Sequence, residues 1–99
     1  METIAGQVTA INAAGDLVTD IAVDAVAHLV GRADVEVRFG DHYTHGIFPR
    51  THREPANTLL AILGESGFLE VGIVGVSVHE MLAIPCGESI QVRWPIDAA

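Results

Sequence analysis

Alternation of apolar and polar residues divides most of this chain into short strands. The clearest case is residues 34–39, where two valines and Phe39 alternate with charged side chains, the period of a strand that buries one face. Further strands are predicted over residues 4–11, 17–21, 43–48, 58–63, 68–74 and 88–94. Each is bounded by glycine, proline, asparagine or aspartate, which favour turns.

Two short helices interrupt the strands. The first is predicted over residues 24–30, with Asp20 or Asp24 near its start and Gly31 at its end. The second opens at Ser77, because Ser77 and Glu80 have the spacing of a capping box. The pattern predicts an all-β fold: about seven mostly antiparallel strands in a closed or partly open barrel with two short helices. It predicts one domain over residues 1–99.

Composition narrows the class of partner. Hydrophobic residues make up 49% of the chain, enough for a core, while five arginines, no lysine and 13 acidic residues give a net charge of −8. That charge would repel nucleic acid and anionic membranes, so neither is expected as a partner. No apolar run approaches the roughly 18 residues of a membrane span, and Cys86 is the only cysteine. We expect a cytoplasmic protein.

The residues best suited to bind a metal ion or an anion lie between positions 41 and 54. His42, His45 and His52 are candidate metal ligands, but residues three apart on a strand point to opposite faces, so no metal site is predicted. Arg50, His52 and Arg53 form a candidate contact for an anion or a partner protein.

The acidic side chains receive a simpler interpretation. Those on strands or at turns are predicted to be ordinary solvated carboxylates: Glu2, Glu36, Glu70 and Glu88. No arrangement of a nucleophile with a base is supported by the spacing, so no catalytic residue is assigned.

Three segments, in order, resemble a known domain. Residues 6–21 form a strand–turn–strand that begins Gly-Gln-Val, residues 67–73 read Gly-Phe-Leu-Glu-Val-Gly-Ile, and residues 87–92 read Gly-Glu-Ser-Ile-Gln-Val. Together they are similar to the C-terminal β-barrel of the S-adenosylmethionine hydroxide adenosyltransferases, the family that includes the fluorinases and chlorinases. The resemblance covers almost the whole chain.

The resemblance implies a ligand pocket. In that family an N-terminal domain holds the ribose and activates the nucleophile, and the barrel of a neighbouring subunit in the trimer closes over adenine and the methionine end. The corresponding pocket residues here would be Asn12, Asp16, Thr19, Phe48 and Ser66.

The pocket differs from the family pattern in its polar groups. Asn12 stands where the family has an aspartate, Asp16 where it has an asparagine, and Ala14 where it has a phenylalanine. The barrel is also expected to begin within the first few residues, without the N-terminal domain. The resemblance therefore implies the fold and a pocket for S-adenosylmethionine or another nucleoside, and not the activity.

Three functions remain open. The first is a non-catalytic barrel that assembles with itself, as a dimer or trimer, or with a separately encoded partner. The second is a module that binds an adenosyl or nucleoside ligand, or one half of a split adenosyltransferase. The third is a metal-dependent protein built on the histidines.

Overall fold

Eight strands form one continuous sheet that curls into a nearly closed barrel. The structure is a computed structural model that describes residues 1–96, so the last three residues of the predicted domain lie outside the described range. In chain order the elements are β1 (Glu2–Ile11), β2 (Leu17–Ala22), α1 (Val23–Val26) continued by a 3₁₀ turn (Ala27–Leu29), β3 (Glu36–Phe39), β4 (His42–His45), β5 (Ile47–Phe48), β6 (Leu59–Leu63), β7 (Phe68–Ile73), α2 (Val78–Leu82) and β8 (Ser89–Trp94).

The order of strands in the sheet is β4-β3-β8-β1-β2-β7-β6-β5. Within residues 1–96 every pairing of these strands is antiparallel except that of β5 with β6. The two end strands follow each other in the chain, and the Thr44 Oγ1 hydroxyl of β4 donates to the Leu59 carbonyl of β6 at 3.1 Å. The all-β, mostly antiparallel barrel predicted from the sequence is confirmed.

One strand more than predicted is present, because residues 43–48 do not form a single strand. Gly46 has φ +83°, a left-handed conformation that residues other than glycine adopt rarely. The chain therefore turns between β4, which pairs with β3, and β5, which pairs in parallel with β6.

The core lies on the inner face of the strands. On β3 the side chains of Val37 and Phe39 are buried, and the intervening Arg38 is exposed, as the alternation of residues 34–39 predicts. On β7 the buried core residues are Leu69 and Val71. The one side chain between them, that of Glu70, lies on the opposite face and stands at the centre of the site described below.

The helices match the predicted positions, and only the cap of α1 differs from the prediction. Ser77 Oγ accepts a hydrogen bond from the Glu80 amide at 3.2 Å, as predicted for α2. At α1 the N-cap is Ala22 and makes no side-chain bond. The Asp20 side chain instead accepts a hydrogen bond from the Gln7 amide of β1 at 2.9 Å. It therefore links β2 to β1 and does not cap the helix. No helix within residues 1–96 is long and apolar enough to cross a membrane.

Candidate functional site

A polar cluster lies on the outer side of the barrel, where the β1–β2 hairpin meets β7. Glu70 stands at its centre and is only 6% exposed. Its two carboxylate oxygens accept hydrogen bonds from Ser66 Oγ at 2.7 Å and from Asn12 Nδ2 at 3.4 Å. The same Asn12 amide also donates to Asp16 Oδ2 at 3.4 Å. Three of the predicted pocket residues, Asn12, Asp16 and Ser66, are therefore brought together.

Asn12 also builds the turn that positions Asp16. Its side-chain carbonyl accepts hydrogen bonds from the amides of Ala14 and Asp16, both at 3.0 Å. This is the hydrogen-bonding pattern by which asparagine stabilises tight turns. The asparagine thus has a local structural role in addition to its contact with the carboxylates.

Two glycines make room for the carboxylates. A Cβ atom on Gly64 would lie 2.1 Å from Glu70 Oε2, and one on Gly72 would lie 2.8 Å from Asp16 Oδ1. Neither glycine has a positive φ, so conformation does not require glycine at these positions. Glycine is required at both positions because the Glu70 and Asp16 side chains approach the backbone so closely.

The prediction that Glu70 is a solvated carboxylate is wrong. Phe68, Glu70 and Gly72 occupy the face of β7 opposite the core, which alone suggests exposure. The β1–β2 turn and the turn at residues 64–67 cover that face through Asn12 and Ser66. The signal in the sequence is Gly72, a glycine inside a strand and away from any turn; Gly64 stands at the turn of residues 64–67 and gives no such signal.

A cleft of about 490 Å³ opens beside this cluster, within the size range of small-molecule sites. Its floor is apolar and comes from Leu60 and Ile62 of β6 and Ile73 of β7. Asp16 stands on one wall and His52, from the loop of residues 49–57, on another. Asp16 is thus the acidic member of the cluster that lines the cleft.

The cleft wall is acidic. Burial raises the pKa of the Asp16 carboxyl above its usual value, the hydrogen bond from Asn12 lowers it, and the charge of Glu70 adds a smaller rise. Neither Asp16 nor Glu70 has an arginine or histidine within ion-pair distance among residues 1–96. The two carboxylates are held together by neutral donors alone within that range.

The other two predicted pocket residues lie elsewhere. Thr19 is fully buried, and its hydroxyl donates to the Leu69 carbonyl at 2.7 Å, so it joins β2 to β7. Phe48 lines a separate cavity of about 330 Å³ beside Ile47. Its ring contacts His52 with centroids 6.5 Å apart, which links it indirectly to the main cleft.

Each of the three candidate histidine ligands packs against a different aromatic ring. His42 packs against the Phe39 ring, His45 against the Tyr43 ring and His52 against the Phe48 ring. Among residues 1–96 no group of three or more histidine, cysteine, aspartate or glutamate side chains is arranged to hold a metal ion.

Two of the three residues predicted to contact an anion, Arg50 and His52, have partners within the chain. Arg50 forms an ion pair with Glu65, and His52 Nδ1 accepts a hydrogen bond from the Glu54 amide at 3.1 Å. Arg53 is exposed. An anion or a partner at Arg50, His52 and Arg53 stays a prediction.

Comparison with known proteins identifies the architecture. No protein-family model and no curated protein matches the sequence. An uncharacterized conserved protein from Thermotoga maritima superposes with a TM-score of 0.73 at 21% identity, covering 94% of this chain and 38% of that one. A conserved hypothetical protein from Thermus thermophilus gives 0.68 at 22% identity, covering 94% and 36%. This chain therefore spans less than two-fifths of either protein, and what it shares with them is the fold.

Proposed function

We propose that this barrel is a non-catalytic small-molecule binding module whose ligand places a positively charged group beside Asp16. The observation that carries the proposal is a half-buried carboxylate on the wall of a cleft, next to a buried carboxylate, with no cationic side chain of residues 1–96 to neutralise either. Two carboxylates so placed repel each other. A bound cationic ligand would relieve that repulsion.

The apolar floor restricts the ligand further. Leu60, Ile62 and Ile73 offer a surface to a ring or an aliphatic chain, while Asp16 selects the charge. A nucleoside that carries an ammonium or sulfonium group fits both requirements. Given the resemblance to the adenosyltransferase barrels, S-adenosylmethionine is the first ligand to test.

Calorimetry with three ligands tests the proposal. We expect S-adenosylmethionine to bind more tightly than adenosine, and adenosine more tightly than its negatively charged monophosphate. Asp16→Asn should weaken the first by roughly tenfold or more, the loss expected when a charge-assisted contact is removed, and leave adenosine unchanged. The matched control is Asp41→Asn, which removes the same charge from an exposed turn outside the cleft. Absence of binding by all three ligands, or equal binding of the monophosphate, would contradict the proposal.

A second function is favoured by the comparisons. Both structural neighbours contain this fold as part of a chain more than twice as long. We propose on that basis that the barrel also assembles with a separately encoded chain, which would cover the open side of the cleft. Sedimentation of the barrel mixed with the product of the neighbouring reading frame tests this idea, and two independent boundaries would count against it.

A further inference from the structure

The first strand has an uncovered edge. Residues Glu2–Gln7 pair with β8, whereas the pairing of β1 with β2 begins only at Val8. Beyond that point β2 turns away into α1 at Val23. Within residues 1–96, the N-terminal half of β1 is therefore paired on one side.

The direction of the backbone groups along this edge follows from two hydrogen bonds. The Val8 amide donates to Glu88 on the β8 side at 2.9 Å, and the Gln7 amide donates to Asp20 on the β2 side at 2.9 Å. In an antiparallel strand the amide and carbonyl of one residue point to the same side, and successive residues alternate. Thr3 and Ala5, which share the parity of Gln7, therefore direct their amides and carbonyls to the open edge.

Along residues 3–5 this edge carries no charged side chain, proline or bulge; the register irregularity of β1 lies farther along, between Val8 and Ala10. Natural edge strands carry lysine, proline or bulges, or are covered by another element. Residues 3–6 are uncharged and contain neither lysine nor proline, and Thr3 and Ala5 are exposed. The side chains of Asp20 and Ile21 cover the strand at Gly6, where a Cβ atom would lie 2.3 Å from Asp20 Oδ1 and 2.8 Å from Ile21 Cγ1. Asp20 also accepts from the Gln7 amide, so the uncovered part of the edge is residues 3–5.

We infer that this edge of β1 pairs antiparallel with the same edge of a second copy of the chain, forming a two-fold symmetric dimer. Antiparallel pairing is the arrangement that a two-fold axis normal to the sheet produces, so one surface serves both partners. The inward and outward faces of the strand are preserved across the axis. The sheet then runs from one barrel into the next through β1.

Charge selects the register. Residues whose amides face the edge must pair with each other, which allows Thr3 opposite Thr3, Thr3 opposite Ala5 or Ala5 opposite Ala5. The last is excluded because it places Thr3 opposite Gln7, whose amide already donates to Asp20. Two registers are left, Thr3 opposite Thr3 and Thr3 opposite Ala5. In the second register Glu2 lies opposite Gly6, against which Asp20 packs, so two carboxylates from different copies approach each other. In the first register Glu2 lies opposite Ile4. We assign the first register, with Thr3 of one copy opposite Thr3 of its partner.

Amide hydrogen exchange of the unmodified protein tests the inference without a variant. We expect the Thr3 and Ala5 amides to exchange freely at micromolar concentration and to become protected at millimolar concentration, where light scattering should report a dimer. The Gln7 amide is the internal control, because its bond to Asp20 should protect it at both concentrations. A monomer at millimolar concentration, or unchanged exchange at Thr3 and Ala5, overturns the inference.

Two substitutions at one position sharpen the test. Ala5→Pro removes the outward amide at a position where an edge strand tolerates proline, and should leave the protein monomeric at every concentration. Ala5→Ser keeps the amide and should dimerise like the parent. Dimerisation of a folded Ala5→Pro variant to the parental extent would also overturn the inference; if that variant does not fold, the exchange measurement decides.

Discussion

Two pairs of carboxylates on this barrel have opposite surroundings. At β3, Asp34 forms an ion pair with Arg32, and Glu36 forms one with Arg38. These arginines lower the pKa of both carboxyls. At the cleft, the side-chain amide of Asn12 donates to both Asp16 and Glu70. Burial raises the pKa of Asp16 there. The first pair favours the folded state, whereas the charge of Asp16 opposes it.

The two pairs differ in what they contribute to the stability of the fold. Exposed ion pairs contribute little to stability and weaken with salt, so the pairs on the β3 side are readily explained as surface features. A pair of like charges partly withdrawn from water destabilises the fold unless something binds it. The acidic cleft is therefore the part of the molecule for which we propose a ligand.

The largest effect is expected from filling the space beside Glu70. Gly64→Ala places a methyl group within 2.1 Å of Glu70 Oε2 and 2.5 Å of its Cγ, which forces the buried carboxylate to move. We expect a loss of about 2–3 kcal/mol in the free energy of unfolding, measured with urea, as for other overpacked sites. In a Glu70→Ala background the same change should cost far less. Equal losses in both backgrounds would show that Glu70 is not the obstacle.

A smaller effect of opposite sign is expected from Asp16→Asn. The pKa of Asp16 is raised in the folded state, so its contribution to stability falls as pH rises from its ordinary value of 3.8 through the folded pKa. The variant lacks this loss, and its amide oxygen can still accept from Asn12. Above the folded pKa we expect a gain of less than about 1 kcal/mol, because the side chain is half exposed and its charge is screened. Unfolding curves between pH 3 and pH 7 measure it; a variant less stable than the parent at pH 7 would contradict the account.

The smallest effect is expected from Asp34→Asn. Because the pKa of Asp34 is lowered in the folded state, its contribution to folding stability is present above pH 3.8 and is lost as pH falls. This dependence is the reverse of that of Asp16. Because the side chain is exposed, the loss of stability at pH 7 should be barely detectable and should vanish in high salt. A loss at pH 7 that salt does not reduce would remove the contrast between the two pairs.

The barrel could be predicted from local patterns, and the cluster only in part. Strand alternation, the turn at residues 13–16 and the capping residue Ser77 are local signals, and the structure bears them out. The burial of Glu70 depends on Asn12, 58 positions away, which no local period records. Gly46 lies within a predicted strand, and its left-handed conformation separates β4 from β5; the alternation of residues 43–48 does not record that break. Asn12, Asp16 and Ser66 lie in one hydrogen-bonded cluster with Glu70, whereas Thr19 and Phe48 lie elsewhere. That any of the five contacts a ligand stays a prediction.

The position of β1 has a consequence for folding on the ribosome. This N-terminal strand lies between β2 and β8, so one of its neighbours is the last of the described strands to be synthesised. Contacts between the two ends of a chain form slowly because a long loop must close first. Until residues 89–94 emerge, β1 has an unpaired edge on the β8 side as well, and the nascent barrel is exposed to aggregation during this interval.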